Sequence, residues 1–374
     1  MPAYQLPAMP DFLRATIEVL LGIGLLFGGG ELFVQGSVAL ALFFGIPQLV
    51  IGLTVVSLGT SAPELFVSLS SVFKGSDALA VSNAVGSNIF NVMVVLGASA
   101  LVLPLRVESR LVRRDIPLLI AISAAVWGMA SAGRMTWQAG VALLVGLVIN
   151  TIWEIRTARE QPDVSVDAEP EVDADAGQGG WLLAMFKLIA GIAVLTIGSR
   201  VLVEGAVAAA TLLGVSEAVI GLTIVSAGTS TPELITSMVA ALRGRTDLAI
   251  GNVVGSCLLN LTLVLGGGAL AAGSRGLLVS ADLIQDDLPV MLLTSLACLP
   301  IFWTKGRISR VEGGLLLGLY LLYVADNVLP RTAMASWADE FRLVMLCLVI
   351  PIVMVVIFAQ AVFYWRASPK RPIT

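Results

Sequence analysis

Of the 374 residues, 57% are hydrophobic and 13% charged, with a net charge of −4, whereas a soluble domain carries about a quarter charged residues. With a mean hydropathy of +0.94, that balance excludes an ordinary soluble enzyme or a nucleic-acid binder and defines a polytopic membrane protein. The chain has no histidine, which removes a serine-histidine dyad, a histidine-ligated zinc and a histidine proton relay together.

The first apolar run spans about 12–36. The segment before it, Met1 to Asp11, lacks the basic stretch of a signal peptide, so the run is read as a true first helix. Helix 2 is expected over about 47–73 with GLTVVSLGTSAPELFVSL at its centre, and helix 3 follows the Lys74-Gly75-Ser76-Asp77 turn and ends near Leu103. Arg106 to Arg114 read as a basic loop, and helices 4 and 5 occupy about 116–132 and 136–155. An acidic stretch rich in Asp, Glu, Ala, Pro and Gly then has the composition of a disordered linker. Its alternating acids, Asp167 to Asp175, lack the glycine and bidentate glutamate of an EF-hand.

The second half repeats the plan, with helices at about 181–213, 216–242, 247–272, 287–304 and 309–329. GLTIVSAGTSTPELITSM at 221–238 answers the segment at 52–69 with an offset of 169 residues, and Gly22, Gly36, Asn83, Ser87 and Asn91 match Gly191, Gly205, Asn252, Ser256 and Asn260 at the same offset. Five helices per half is an odd number, so the second half must enter the membrane from the opposite side, the plan of many secondary transporters. The expected fold is therefore an all-α polytopic membrane protein. It has two inverted-topology five-helix repeats, 12–156 and 181–330, an acidic cytoplasmic linker at 157–180 and one extra C-terminal transmembrane helix at 341–365. With the N-terminus outside, fourteen loop arginines and lysines fall in the cytoplasm against six outside, so the C-terminus is placed inside and the protein in the plasma (inner) membrane. Cys257, Cys298 and Cys347 lie in apolar runs and read as packing residues.

Each repeat carries a glutamate, Glu64 or Glu233, directly after a proline in mid-membrane. A carboxylate at that depth is costly and by default functional. Pro63 and Pro232 remove a helical N–H and should break the helix, freeing the carbonyl at Gly59 or Gly228. Ser57, Ser61, Glu64 and Ser68 share a face at helical spacing, with Thr60 beside them, and Ser226, Ser230, Glu233 and Ser237 do likewise beside Thr229. Helices 3 and 8 add Asn83, Ser87 and Asn91, and Asn252, Ser256 and Asn260. All of these offer oxygen, and such a shell suits a hard cation. The plainer alternative is that the hydroxyls and amides only hydrogen-bond between helices.

The paired GTS-x-PEL segments, each followed by N-x-x-GS-x-x-x-N (Asn83 to Asn91, Asn252 to Asn260), resemble the alpha repeats of the cation/calcium exchanger superfamily, closest to its prokaryotic sodium/calcium exchanger branch. The resemblance spans about 12–330. It implies a secondary antiporter exchanging calcium for sodium by alternating access, with calcium and sodium ions and the lipid bilayer as partners and no cofactor or nucleic acid. Carried over by position, Glu64 and Glu233 bind the cations, Thr60, Ser61, Thr229 and Ser230 complete the sites, Ser87, Asn91, Ser256 and Asn260 line them, and the carbonyls of Ser57 and Ser226 contribute oxygens. The long helices 1 and 6 slide across this core. Relatives carry an aspartate where this chain has Asn260, which leaves the number of sodium ions open, and a calcium/proton exchanger is the near alternative. An intramembrane magnesium-dependent enzyme has only Asp282-x-x-x-Asp286-Asp287 to support it, and those acids fit a helix N-terminus. A passive channel would want a continuous pore and filter.

Overall fold

The computed structural model describes residues 9–160, 180–213, 226–303, 306–331 and 335–353, with isolated positions 224, 355 and 359. In lipid every backbone group must find its partner within the segment, and the long apolar runs accordingly form helices. These are α1 (Met9–Phe44), α2 (Gln48–Thr60), α3 (Ala62–Phe73), α4 (Asp77–Val102), α5 (Ile116–Ala130), α6 (Trp137–Glu160), α7 (Gly180–Leu212), α8 (Ser226–Thr229), α9 (Thr231–Leu242), α10 (Thr246–Arg275), α11 (Leu283–Trp303), α12 (Arg310–Val328) and α13 (Ala338–Val344). Seven described helices are long and apolar enough to cross a membrane, or eight if the bent pair α2 and α3 is one span.

Several boundaries differ from the sequence reading. Helix α1 runs on to Phe44 and stops only where Gly45 takes a φ of +62°, a conformation open to glycine. Arg110, Arg113 and Arg114 lie on helical turns leading into α5 rather than in a loop. Thr157 to Glu160 continue α6, and the rest of the acidic linker lies outside the described residues, as do most of the expected start of helix 7 and the end of the eleventh helix. The chain is also not wholly helical. Four two-residue strands, β1 (Leu105–Arg106), β2 (Arg134–Met135), β3 (Leu277–Leu278) and β4 (Arg307–Ile308), pair as β1 with β4 and β2 with β3, both antiparallel. Each pair joins one half of the chain to the other, at opposite ends of the helices.

The halves are related by a local two-fold exchange, most directly where α1 meets α7. A Cβ built on Gly22 would lie 2.6 Å from the Leu202 nitrogen, and one on Gly191, its counterpart, 2.7 Å from the Phe33 nitrogen, the counterpart of Leu202. Gly36 meets Leu188 at 2.6 Å and Gly205 meets Val19 at 2.8 Å in the same relation. Residues rise along one helix as they fall along the other, so the equivalent helices run antiparallel. Small residues let the two backbones touch, the usual device for packing helices where lipid removes the hydrophobic drive.

The contact predicts a graded response. Gly36→Val or Gly191→Val must push two backbones apart and should cost about 1 to 3 kcal/mol, as overpacking does, lowering the thermal unfolding midpoint in detergent. Gly24, whose Cβ would meet nothing within 4 Å, should tolerate alanine with no loss in the same measurement.

Candidate functional site: a crossed pair of buried glutamates

The break in the first repeat is a 45° bend between α2 and α3. Ser61 sits at it with φ −81° and ψ 4°, and Pro63 falls in the first turn of α3, where its missing N–H costs nothing. Ser230 and Pro232 hold the same places before α9, with φ −90° and ψ 9° at Ser230. Each glutamate thereby lies in the first turn of a helix that starts in mid-protein, and both are fully buried. The favourable end of the helix dipole faces each carboxylate.

The two glutamates are held by the opposite halves. Ser61 Oγ donates to Glu233 Oε1 at 3.1 Å, while Ser230 Oγ lies 2.9 Å from Glu64 Oε1 and 2.9 Å from Ser87 Oγ. Ser87 Oγ is also 3.5 Å from Glu64 Oε1. A second crossing locks the broken backbone. Thr60 Oγ1 donates to Asn252 Oδ1 at 3.1 Å, and Asn252 Nδ2 donates to Ser237 Oγ at 2.9 Å and to the Glu233 carbonyl at 3.4 Å. Thr229 Oγ1 donates to Asn83 Oδ1 at 3.3 Å, and Asn83 Nδ2 donates to Ser68 Oγ at 2.9 Å and to the Glu64 carbonyl at 3.1 Å. Asn83 and Asn252 therefore shape the site from behind, a role that sequence reading could place on a helix face but could not assign.

What remains free points to the ligand. Glu64 Oε2, Glu233 Oε2, Ser256 Oγ and both amide atoms of Asn91 and of Asn260 are buried without a hydrogen-bond partner. Buried polar atoms are nearly always satisfied, so orphans at this density call for an absent partner. Asn91 and Asn260 each open a π-helical turn, Asn91–Val95 and Asn260–Val264, in which the helix widens by one residue; such bulges concentrate at functional sites. The donor set is carboxylate, amide and hydroxyl oxygen, with no thiolate or imidazole, and it fits a hard cation.

Two of the expected oxygens stand differently. Ser57 Oγ lies 2.5 Å from the Gly52 carbonyl and 3.1 Å from the Asn252 carbonyl, where α2 crosses α10, and the Ser57 carbonyl already accepts the Ser61 N–H at 2.9 Å and lies 3.4 Å from the Thr60 hydroxyl. Ser226 opens α8. The Gly228 carbonyl freed by Pro232 is already engaged, because Ser199 Oγ on α7 donates to it at 2.6 Å and takes up one of its two lone pairs. That contact depends on how α7 lies against α8, and a lone serine in an apolar helix gave no sign of it. Two of the three acids of the enzyme reading are otherwise engaged: Asp286 pairs with Arg342 at 3.7 Å and Asp287 accepts from Tyr323 at 2.7 Å.

Residues 15–156 and 183–328 match the model of the family described as sodium/calcium exchanger protein. The inner membrane protein YrbG of Escherichia coli (strain K12) is 32% identical over 84% of this chain and 96% of its own length. The sodium/calcium exchanger MaX1 of Methanosarcina acetivorans is 29% identical over 82% and 96%. The solved structure of the sodium-calcium exchanger NCX_Mj, from crystals soaked with Na+ and Sr2+, superposes with a TM-score of 0.71 at 30% identity, covering 84% of this chain and 99% of that one. Matched repeats, antiparallel equivalent helices and crossed buried glutamates thus coincide with a family match over both halves, and the chain belongs to the sodium/calcium exchanger family of integral membrane proteins.

Proposed function

We propose that the protein is a secondary antiporter that exchanges calcium for sodium by alternating access, with the cations as cargo at the centre of the crossed pairs. The observation that carries this reading is the set of orphaned oxygens: one from each glutamate, with the amides of Asn91 and Asn260 and the hydroxyl of Ser256. Two carboxylates balance one divalent ion. Glu64, Glu233, Ser61, Ser230, Ser87, Asn91, Ser256 and Asn260 form the binding shell in this proposal, with Thr60 and Thr229 at its edge and the carbonyls of Ser57 and Ser226 as backbone ligands. The antiparallel pairing of α1 with α7 supports opposite entry of the two halves into the membrane, and the fourteen-to-six bias of basic residues favours an N-terminus outside.

Sodium-loaded proteoliposomes provide the primary test. Calcium uptake should follow an outward sodium gradient, and uptake that follows a pH gradient alone would instead assign proton coupling. In this assay Glu64→Gln and Glu233→Gln should each lower uptake by about a hundredfold or more, the scale for removing one charge of a buried pair, while the purified variants remain monodisperse. Near-normal uptake by either would remove that glutamate from the shell.

The charge count gives a second prediction. A core holding one calcium is near neutral, whereas three sodium ions leave about one extra positive charge, worth roughly 2.3 kcal/mol per 100 mV against about 1.4 kcal/mol for a tenfold gradient. Uptake driven by internal sodium should therefore accelerate when valinomycin and potassium make the vesicle interior positive. Indifference to that potential would mean two monovalent ions per calcium.

The acidic linker should act only as a tether. Deleting Pro162 to Asp175 is expected to leave exchange within about twofold of the full chain, and loss of activation by low calcium on the cytoplasmic side would reveal a sensor there.

A further inference from the structure

The halves are alike in sequence but do not pack alike. Helix α1 lies over α9: a Cβ on Gly30 would come within 3.0 Å of Ile235 and 3.4 Å of Val239, both of which are buried. The residue equivalent to Ile235 in the first half is Phe66 on α3, and it is 72% exposed. The break shows the same contrast, since Thr231 before Glu233 is buried and its counterpart Ala62 before Glu64 is exposed. The described structure is closed along α9 and open along α3.

A chain of polar contacts sits at the closed end. Arg243, just past α9, donates from Nη2 to Glu31 Oε1 at 2.6 Å and from Nε to Glu31 Oε2 at 3.1 Å, a two-point contact between a guanidinium and a carboxylate on α1. Gln35 Nε2 donates to Glu31 Oε1 at 2.8 Å, and Lys187 Nζ on α7 donates to Gln35 Oε1 at 3.0 Å. Three helices are tied at one end, including both long helices of the α1–α7 pair. The offset of 169 residues assigns the counterparts. Arg243 corresponds to Lys74, Glu31 to Arg200, Gln35 to Glu204 and Lys187 to Glu18. Exchange of the halves therefore sets Lys74 against Arg200, two cations where the closed end has an ion pair. Among the described residues no ion pair joins Lys74 or Arg200 to an acid.

We infer that Glu31 and Arg243 form a one-sided latch, which holds α1 over α9 and favours the state closed at the Arg243 end, while the opposite state has no matching pair. The inference rests on the alternating-access reading and adds to it a resting direction. On the basic-residue count the Arg243 end is cytoplasmic, so the resting protein is shut toward the cytoplasm and offers its site to the other side. The latch is exposed, and such pairs shift an equilibrium by about two- to fivefold. That is enough to set which state predominates and too little to stop turnover.

Hydrogen exchange of the full-length protein in lipid nanodiscs tests the latch without relying on transport. In the parent protein the amides of Ala62–Phe73 should exchange faster than those of Thr231–Leu242. Glu31→Gln or Arg243→Gln should raise exchange in Thr231–Leu242 about two- to fivefold. Arg200→Glu should act in the same direction by giving Lys74 a partner in the opposite state. The double variant Glu31→Arg with Arg243→Glu should return the parent pattern. Unchanged exchange in the single variants, or a double variant no different from them, would overturn the latch. Calcium-for-sodium exchange measured separately in vesicles decides the transport reading, and its failure in the parent protein would leave the exchange pattern of the two helices as an independent result.

Discussion

Two carboxylates buried in the middle of an apolar protein, with no basic side chain among the described residues paired to either, are the constraint on which the rest depends. Leaving them charged and unpaired costs several kcal/mol per ion. Each is offset in part by a serine from the opposite half and by the start of a short helix, and the other oxygen of each has no hydrogen-bond partner. The breaks at Ser61 and Ser230, the prolines behind them and the amides of Asn83 and Asn252 that grip the bent backbone all serve that arrangement. The widened turns at Asn91 and Asn260 bring two neutral amides to the same centre.

Around this centre the halves are tied together at both ends. The β1–β4 and β2–β3 pairings tie the halves together, and charged contacts reinforce both ends. Arg275 makes a two-point contact with Asp77, at 2.5 and 3.0 Å, beside β3. At the other end Arg110 and Arg114 converge on buried Glu154, and Arg310 donates to the last carbonyls of α4, at 3.1 Å to Leu101 and 3.3 Å to Val102. The long helices α1 and α7 lie outside this frame and touch each other through glycine.

The repeat, the breaks and the oxygen-rich faces were legible in the sequence because each follows from chemistry local to a few residues: a proline four positions after a glycine, or polar side chains at every fourth place in an apolar run. Three things were not legible. The partners of Ser61 and Ser230 lie across the two-fold, and no local pattern reports which half a hydroxyl will face. The π-turns at Asn91 and Asn260 contain no helix-breaking residue and lie against helices of the other half. The hydroxyl of Ser199 reaches the Gly228 carbonyl only because α7 sits at one particular height, while its counterpart, Gly30, has no side chain to do the same. The strands failed to register for a simpler reason, since two residues cannot show an alternation.

The crossing of the serines also bears on how such a chain could arise and drift. Ser61 meets a glutamate 172 positions away, and Ser230 one 166 positions away, so neither half completes its own carboxylate. In a symmetric dimer of a single half, Ser61 of one copy would stand against Glu64 of the other, and both contacts would be encoded by the same pair of codons. Duplication and fusion would turn that one pair into two, Ser61 with Glu233 and Ser230 with Glu64. Substitutions at these positions are then tied across the halves rather than within them, so the two repeats can diverge everywhere else in sequence while remaining bound to each other at the centre.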